Sequence, residues 1–103
     1  MLDLSPRQLE ILRTILRKHV PGLRVLAYGS RACGNARPTS DLDLALDAGN
    51  PLPFSVLGAL QEELKESDLS FRADVVDLAS VTPDFQALIR SEGMVIMPTA
   101  ADR

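Results

Sequence analysis

Two acidic residues separated by one position, Asp41 and Asp43, follow the pair Gly29-Ser30 after ten intervening residues. Residues two apart on a strand project from the same face, so these carboxylates should lie side by side. Two neighbouring carboxylates repel each other, which raises the pKa of one of them unless a cation lies between them. Mg²⁺ is the natural cation where hard oxygen ligands meet phosphate. The pattern indicates a metal–phosphate site, although by itself an Asp-x-Asp strand is more often a solvated surface.

The glycine–serine pair directly follows a predicted strand at residues 24–28. If a helical turn begins there, its free backbone N–H groups form an anion site. Gly29 lets a phosphate approach the backbone closely, Ser30 offers a hydroxyl donor, and Arg31 offers a charge-assisted contact. Alone, such a pair is more often an ordinary turn. We therefore treat Gly29, Ser30 and Arg31 as candidate phosphate-binding residues.

A third carboxylate is expected from a neighbouring strand, and residues 71–78 offer Asp74 and Asp77. These two differ by three positions and therefore point to opposite faces, so only one can join Asp41 and Asp43. Asp74 lies mid-strand among apolar neighbours, where a charge needs compensation. Asp77 is nearer the strand end and is expected at the surface or in a turn. We favour Asp74 and keep Asp77 as the alternative.

Hydrophobic periodicity and capping residues predict the elements that position these groups. In chain order they are a helix from Ser5-Pro6 to Pro21-Gly22, strands at 24–28 and 41–47, a helix from about 53 to 67, a strand at 71–78, a helix from Thr82-Pro83 to Gly93, and a strand at 94–97. A helix joins the second and third strands, whereas a loop joins the first two. The fold class is therefore α+β (α/β), with a small mixed β-sheet of about four strands and helices mainly on one face. We assign 1–97 to one domain and 98–103 to a C-terminal tail.

Composition limits the functional classes open to this chain. Its 103 residues fit one domain, and 46% hydrophobic with 24% charged residues is typical of a globular protein. The net charge of −3 argues against direct nucleic-acid binding, which uses clustered Lys and Arg. We find no signal peptide and no apolar stretch of membrane-spanning length. The lone Cys33 suits a reducing compartment, so we predict a cytoplasmic protein without membrane contact.

The remaining polar residues favour structural interpretations. His19 ends a helix and is better explained by the helix dipole than by catalysis. Cys33 has no evident base partner, and one His with one Cys excludes a zinc cluster. No P-loop sequence is present. A charged stretch of the second helix is most simply a solvated face, formed by Glu62, Glu63, Lys65 and Glu66.

Gly29-Ser30, ten residues, Asp41-x-Asp43 and a later Asp74 together resemble the signature of the DNA polymerase β-like nucleotidyltransferase superfamily. The length and these motifs are similar to its smallest branch, the minimal nucleotidyltransferase (MNT) proteins. The resemblance extends from the first helix to Met97. It implies the nucleotidyltransferase fold, with a palm like that of polymerase β.

The resemblance also implies the chemistry of the site. Asp41, Asp43 and Asp74 would be the catalytic and metal-binding residues, holding two Mg²⁺ ions and ATP as substrate. Asp74 would ligate the metal nearest the acceptor hydroxyl and help that hydroxyl lose its proton. Gly29 and Ser30 would hold the β- and γ-phosphates. Phosphoryl chemistry asks mainly for positioning and charge neutralisation, so few residues suffice.

MNT proteins are commonly paired with a helical HEPN toxin, and some transfer AMP from ATP to a tyrosine of that toxin. The resemblance therefore implies a protein adenylyltransferase that acts as the antitoxin of a HEPN partner, in a homo- or hetero-oligomer. The alternative is a non-catalytic antitoxin that neutralises the partner by binding. A third interpretation is an α/β domain with a fortuitous Asp-x-Asp.

Overall fold

The computed structural model of this chain describes residues 4–29, 41–69 and 71–97. Ser30, Arg31, Cys33 and the predicted tail 98–103 lie outside the described residues. The described elements are the helices α1 (Pro6–His19), α2 (Phe54–Glu66) and α3 (Pro83–Glu92), the strands β1 (Arg24–Tyr28), β2 (Leu42–Asp47), β3 (Ala73–Asp77) and β4 (Met94–Met97), and a 3-10 turn (Leu78–Ser80). The order agrees with the sequence prediction, which missed the 3-10 turn. Among the helices described, we find none with the length and apolar character that crossing a bilayer requires.

The four strands form one sheet in the order β3-β2-β1-β4. β1 is antiparallel to both β2 and β4, whereas β2 and β3 are parallel. A parallel pair needs a crossover connection, and α2 provides it. The predicted mixed sheet is therefore confirmed. Because β1 ends where β2 and β3 begin, residues from three strands meet at one end of the sheet, which we call the site end.

Two helices cover the first face of the sheet and enclose the larger core. Leu12 and Leu16 of α1 and Leu60 and Leu64 of α2 are buried there. The sheet contributes side chains at alternate positions: Val25, Ala27, Leu42, Leu44 and Leu46. Burying one Leu or Val side chain stabilises the fold by about 1.5–3 kcal/mol. The alternation predicted for β2 is thus what seats α1 and α2 on one face.

The second face of the sheet is covered by α3 and carries a smaller core. Leu26, Ala45, Leu78 and Ile89 are buried in it. Ala45 is 0% exposed, so the non-leucine side of β2 is not the solvated face that the alternation alone suggested. The helices nevertheless lie mainly on one face, as predicted, since α3 is the described helix that covers the other. Asp43 alternates with the buried leucines of β2 and therefore faces this second side.

An ion pair joins the end of α1 to α2. The carboxylate of Glu63 accepts a hydrogen bond from Lys18 Nζ at 2.8 Å and lies 2.9 Å from His19 Nε2. These contacts hold the pKa of Glu63 below its usual value, the largest cause being the hydrogen bond from Lys18, followed by that from His19. The solvated face predicted for α2 is right for Glu62, Lys65 and Glu66. For Glu63 it is wrong, because that side chain is half-buried against α1.

Replacing Glu63 should make the stability of the fold less sensitive to acid. A carboxyl group whose folded pKa is depressed stabilises the fold above its unfolded pKa, and this contribution is lost as the pH falls through the folded pKa. We expect Glu63→Gln to lower the denaturant midpoint at neutral pH. The difference from the unmodified chain should vanish at pH values below the depressed pKa. Denaturant unfolding followed across pH measures this, with Glu62→Gln as the exposed control; equal losses in both variants would contradict the ion-pair interpretation.

Candidate active site

Three side chains line up across the site end of the sheet. Tyr28 of β1 lies opposite Asp43 of β2, and Asp43 lies opposite Asp74 of β3. Residues directly opposite in a sheet project from the same face, so the two carboxylates are neighbours. The structure therefore brings together Asp43 and Asp74, two of the three predicted site carboxylates. The third, Asp41, is exposed and immediately precedes β2.

The carboxylate of Asp43 lies in an environment that disfavours its charge. Its pKa is raised above the ordinary value, first because the side chain is half-buried and next because of the negative charges of Asp74 and Asp41. Asp74 and Asp41 raise this pKa because they lie near Asp43 at the site end of the sheet. A cation bound there would relieve the repulsion and favour the charged form. The charge pattern is that of a site suited to a positive ligand.

Asp74 is held on its other side by a basic residue. Arg72 Nε donates to Asp74 Oδ1 at 2.9 Å. The two residues are two positions apart and so share a face of the strand. Arg72 remains 73% exposed, which makes this a weak surface ion pair. It orients the carboxylate of Asp74 without removing it from solvent.

Gly29 follows β1 directly and lies against the carboxylate of Asp43. Its φ angle is +80°, a conformation that side chains disfavour. A Cβ atom added at this position would stand 2.6 Å from Asp43 Oδ2, which is closer than such atoms approach. Both the backbone geometry and the space thus require glycine here. Of the three predicted phosphate-binding residues, Gly29 is the one within the described ranges, and it borders the carboxylate pair.

Tyr28 belongs to the same row and was not identified from the sequence. Its ring packs edge-on against Phe85 of α3, with centroids 5.8 Å apart and planes at 84°. Its pKa is raised by burial, then by the charges of Asp43 and Asp74. The available signal was its position just before Gly29. The strand register that places it opposite Asp43 is not readable from local sequence.

Asp77, the alternative third carboxylate, has a different role. Its side chain is 5% exposed and accepts hydrogen bonds from the backbone N–H of Leu52 at 2.7 Å and of Ala79 at 3.2 Å, and from Ser80 Oγ at 3.1 Å. It caps the 3-10 turn and ties the loop before α2 to the end of β3. The expectation of a turn residue is right, but that of a surface residue is wrong. Three positions from Asp74, it points away from the carboxylate pair.

Removing the carboxylate of Asp77 should destabilise the fold without affecting activity at the carboxylate pair. Asp77→Ala leaves the N–H of Leu52 and the 3-10 turn without their acceptor, which should cost about 2–4 kcal/mol. Asp77→Asn keeps one acceptor oxygen and should lose less. Chemical denaturation measures both variants. Activity per folded molecule should stay unchanged in each, and a selective loss of activity at full stability would reassign Asp77 to the site.

The described part of the chain does not by itself form a complete metal cage. Across its three ranges, no group of three or more His, Cys, Asp or Glu side chains is arranged to hold a metal ion. Mg²⁺, however, is usually bound through one or two carboxylates, with water and substrate phosphates completing its octahedron. Asp43 and Asp74, both half-buried and mutually repelling, fit that donor set.

The family model described as Polymerase beta, Nucleotidyltransferase matches residues 10–102 of this chain. A curated relative, the probable protein adenylyltransferase MntA of Haemophilus influenzae, is 43% identical over 95 residues. The match spans 92% of this chain and 83% of that protein. The similarity therefore extends over nearly the whole of both proteins.

Solved structures with the same fold include toxin–antitoxin complexes. A crystal structure of a toxin–antitoxin with AMP-PNP contains a chain that matches at TM-score 0.76 and 25% identity, covering 91% of this chain and 76% of that one. A complex of a tri-AMPylated Shewanella oneidensis HEPN toxin with an MNT antitoxin matches at TM-score 0.68 and 23% identity, covering 91% and 72%. The second match supports the fold alone.

Proposed function

Because the chain belongs to the polymerase β nucleotidyltransferase family, we propose that it transfers AMP from ATP to a hydroxyl group of a helical HEPN-type partner protein. In this function the chain is the antitoxin and the partner is the toxin. The observation that carries the proposal is the pairing of Asp43 with Asp74 beside Gly29. The adenylyltransferase relative and the toxin–antitoxin structure with AMP-PNP support the reaction and the partner class. Since the reaction consumes ATP, the expected compartment is the cytoplasm.

Asp43 and Asp74 would hold Mg²⁺, and Asp41, exposed just before β2, would join them in binding a second ion. Bound there, Mg²⁺ would neutralise the triphosphate and stabilise the charge that develops on the leaving group. Asp43 anchors the site from the central strand β2, whose neighbours on both sides fix its position. Asp74 lies on the edge strand β3, and its side chain is 34% exposed. The site therefore has a fixed inner carboxylate and an accessible outer one.

The remaining residues bind the nucleotide and handle the proton. The backbone at Gly29, with Ser30 and Arg31 beyond it, receives the β- and γ-phosphates. The acceptor oxygen then bonds to the α-phosphorus, and the carboxylate of Asp74 accepts the hydroxyl proton. The bond from the α-phosphorus to its bridging oxygen breaks, and pyrophosphate leaves. The reaction written in this way requires no further general acid or base among the described residues.

Transfer of radiolabel to the partner tests the proposed reaction. The chain and its HEPN partner are incubated with Mg²⁺ and ATP labelled either in adenine or at the γ-phosphate. We expect the adenine label on the partner and the γ label in free pyrophosphate. A γ label on the partner would show phosphoryl transfer and overturn the proposal. Neutralisation of the toxin without any label on it would instead establish the antitoxin that acts by binding.

A further inference from the structure

A side-chain amide of α2 holds the backbone on either side of Asp74. Gln61 Nε2 donates to the carbonyl oxygen of Ala73 at 2.6 Å, and Gln61 Oε1 accepts from the backbone N–H of Val75 at 3.1 Å. The side chain of Gln61 is half-buried between the helix and the strand. The residue enclosed by these two hydrogen bonds is Asp74.

This arrangement replaces a missing strand. β3 is an edge strand, with β2 on its inner side and, among the residues that the structure describes, no strand on its outer side. The carbonyl of Arg72 points inward, since it accepts from Leu42 N–H at 2.8 Å. The adjacent Ala73 carbonyl and Val75 N–H therefore point outward, where an edge leaves backbone groups unpaired. The amide of Gln61 offers one donor and one acceptor, as a neighbouring peptide group would.

We infer that Gln61 is a positioning residue that fixes Asp74 opposite Asp43, an inference that rests on the proposed function. An edge strand without this support would fray, and Asp74 would move relative to the central carboxylate. Asp43 needs no such support, because β2 is paired on both sides. Gln61 therefore supplies on the outer side of β3 the restraint that a neighbouring strand gives β2.

The other edge of the sheet is held in a different way. There, Arg13 Nε donates to the carbonyl of Ile96 on β4 at 2.9 Å. That contact is a single hydrogen bond, and β4 carries none of the site carboxylates. The paired donor and acceptor of Gln61 occur on the strand that carries Asp74.

The test compares Gln61→Met, which keeps the side-chain volume and removes both hydrogen bonds, with Gln86→Met. Gln86 of α3 is a matched control, because its Nε2 donates to the carbonyl of Val81 at 3.1 Å, on a segment without site residues. Amide hydrogen exchange of the nucleotide-free chain reports on the two hydrogen bonds between Gln61 and β3. We expect faster exchange at Val75 in Gln61→Met and unchanged exchange there in Gln86→Met.

The kinetics of AMP transfer test whether Gln61 positions Asp74. With the HEPN partner, ATP and Mg²⁺, we expect Gln61→Met to lower kcat by about 10–100-fold, as supporting hydrogen bonds around metal ligands do. The KM for ATP should hold, because Gly29 follows β1, which lies on the opposite side of β2 from β3. Rates are expressed per folded molecule, so that lost stability does not count as lost catalysis. Gln86→Met should keep its kcat.

The outcomes separate this inference from the proposed function. Unchanged exchange at Val75, or faster exchange with an unchanged kcat, would overturn the positioning role of Gln61. If the unmodified chain transfers no AMP while Val75 exchange still accelerates in Gln61→Met, the proposed function is wrong, whereas the support of β3 by Gln61 is confirmed.

Discussion

Asp43→Asn is expected to lower AMP transfer by at least about a hundredfold, while the nucleotide-free chain stays folded. The change keeps the volume of the side chain and removes the charge that binds Mg²⁺ beside Asp74. The site then loses its central anionic ligand, and the triphosphate loses its counter-charge. Initial rates of partner adenylylation measure the effect, with circular dichroism to confirm the fold.

The same variant should be no less stable than the unmodified chain. The folded-state pKa of Asp43 is raised by burial and by Asp74 and Asp41. A carboxyl pKa that is raised in the folded state means that ionisation destabilises the fold; the penalty is complete above the folded-state pKa, shrinks as the pH falls below it, and is gone below the unfolded-state pKa. At neutral pH, Asp43→Asn should therefore unfold at the same or a higher temperature. The difference should shrink in acid.

Asp47→Asn is the matched control for this prediction. Asp47 lies on the same face of β2 and pairs with Arg90 of α3, at 3.2 Å from Asp47 Oδ2 to Arg90 Nη1. Its loss should cost a little stability and leave transfer intact. If Asp43→Asn transferred AMP at a rate close to that of Asp47→Asn, the assignment of Asp43 would be wrong.

Gly29→Ala should impair both the fold and the reaction. The backbone at this position has φ +80°, and holding a side chain there costs about 1–3 kcal/mol. The new methyl group would also press on Asp43 Oδ2, at 2.6 Å if nothing moved. Displacing that carboxylate should lower transfer by about tenfold or more, because small misplacements at a reacting centre are costly.

Gly22→Ala is a control that introduces the backbone strain of Gly29→Ala without its contact with Asp43. Gly22 has a similar φ of +74°, and a Cβ added there meets no atom within 4 Å. It should lose stability like Gly29→Ala and keep its transfer rate per folded molecule. Thermal unfolding and initial rates on both variants provide the comparison. Equal transfer rates in the two variants would remove Gly29 from the site.

The elements of this fold were predictable because their signals are local. Ser5-Pro6 caps and starts α1, with Ser5 Oγ accepting from Gln8 N–H, and Thr82-Pro83 starts α3 in the same way. The alternating leucines of β2 predicted both the strand and the face that α1 and α2 cover. The motif that joins Gly29 to Asp43 also predicted which ends of which strands would meet. Each of these signals lies within one element or one connection.

What the sequence could not supply depends on register and on contacts between distant elements. The sequence favoured Asp74 over Asp77 on β3, but the role of Asp77 is visible only in the fold, where its carboxylate accepts from the backbone N–H of Leu52 in the loop before α2. Gln61 carries no signal in the sequence, because its partners are backbone groups of β3. Glu63 read as solvated for the same reason. Periodicity assigns a side chain to a face but does not name the residue that it will meet.

A crystal structure of the chain with Mg²⁺ and a non-hydrolysable ATP analogue would show whether the carboxylate pair binds metal. We expect metal coordinated by the carboxylates of Asp43 and Asp74, with the triphosphate against the backbone at Gly29. A triphosphate bound elsewhere on the chain, with both carboxylates free of metal, would contradict it.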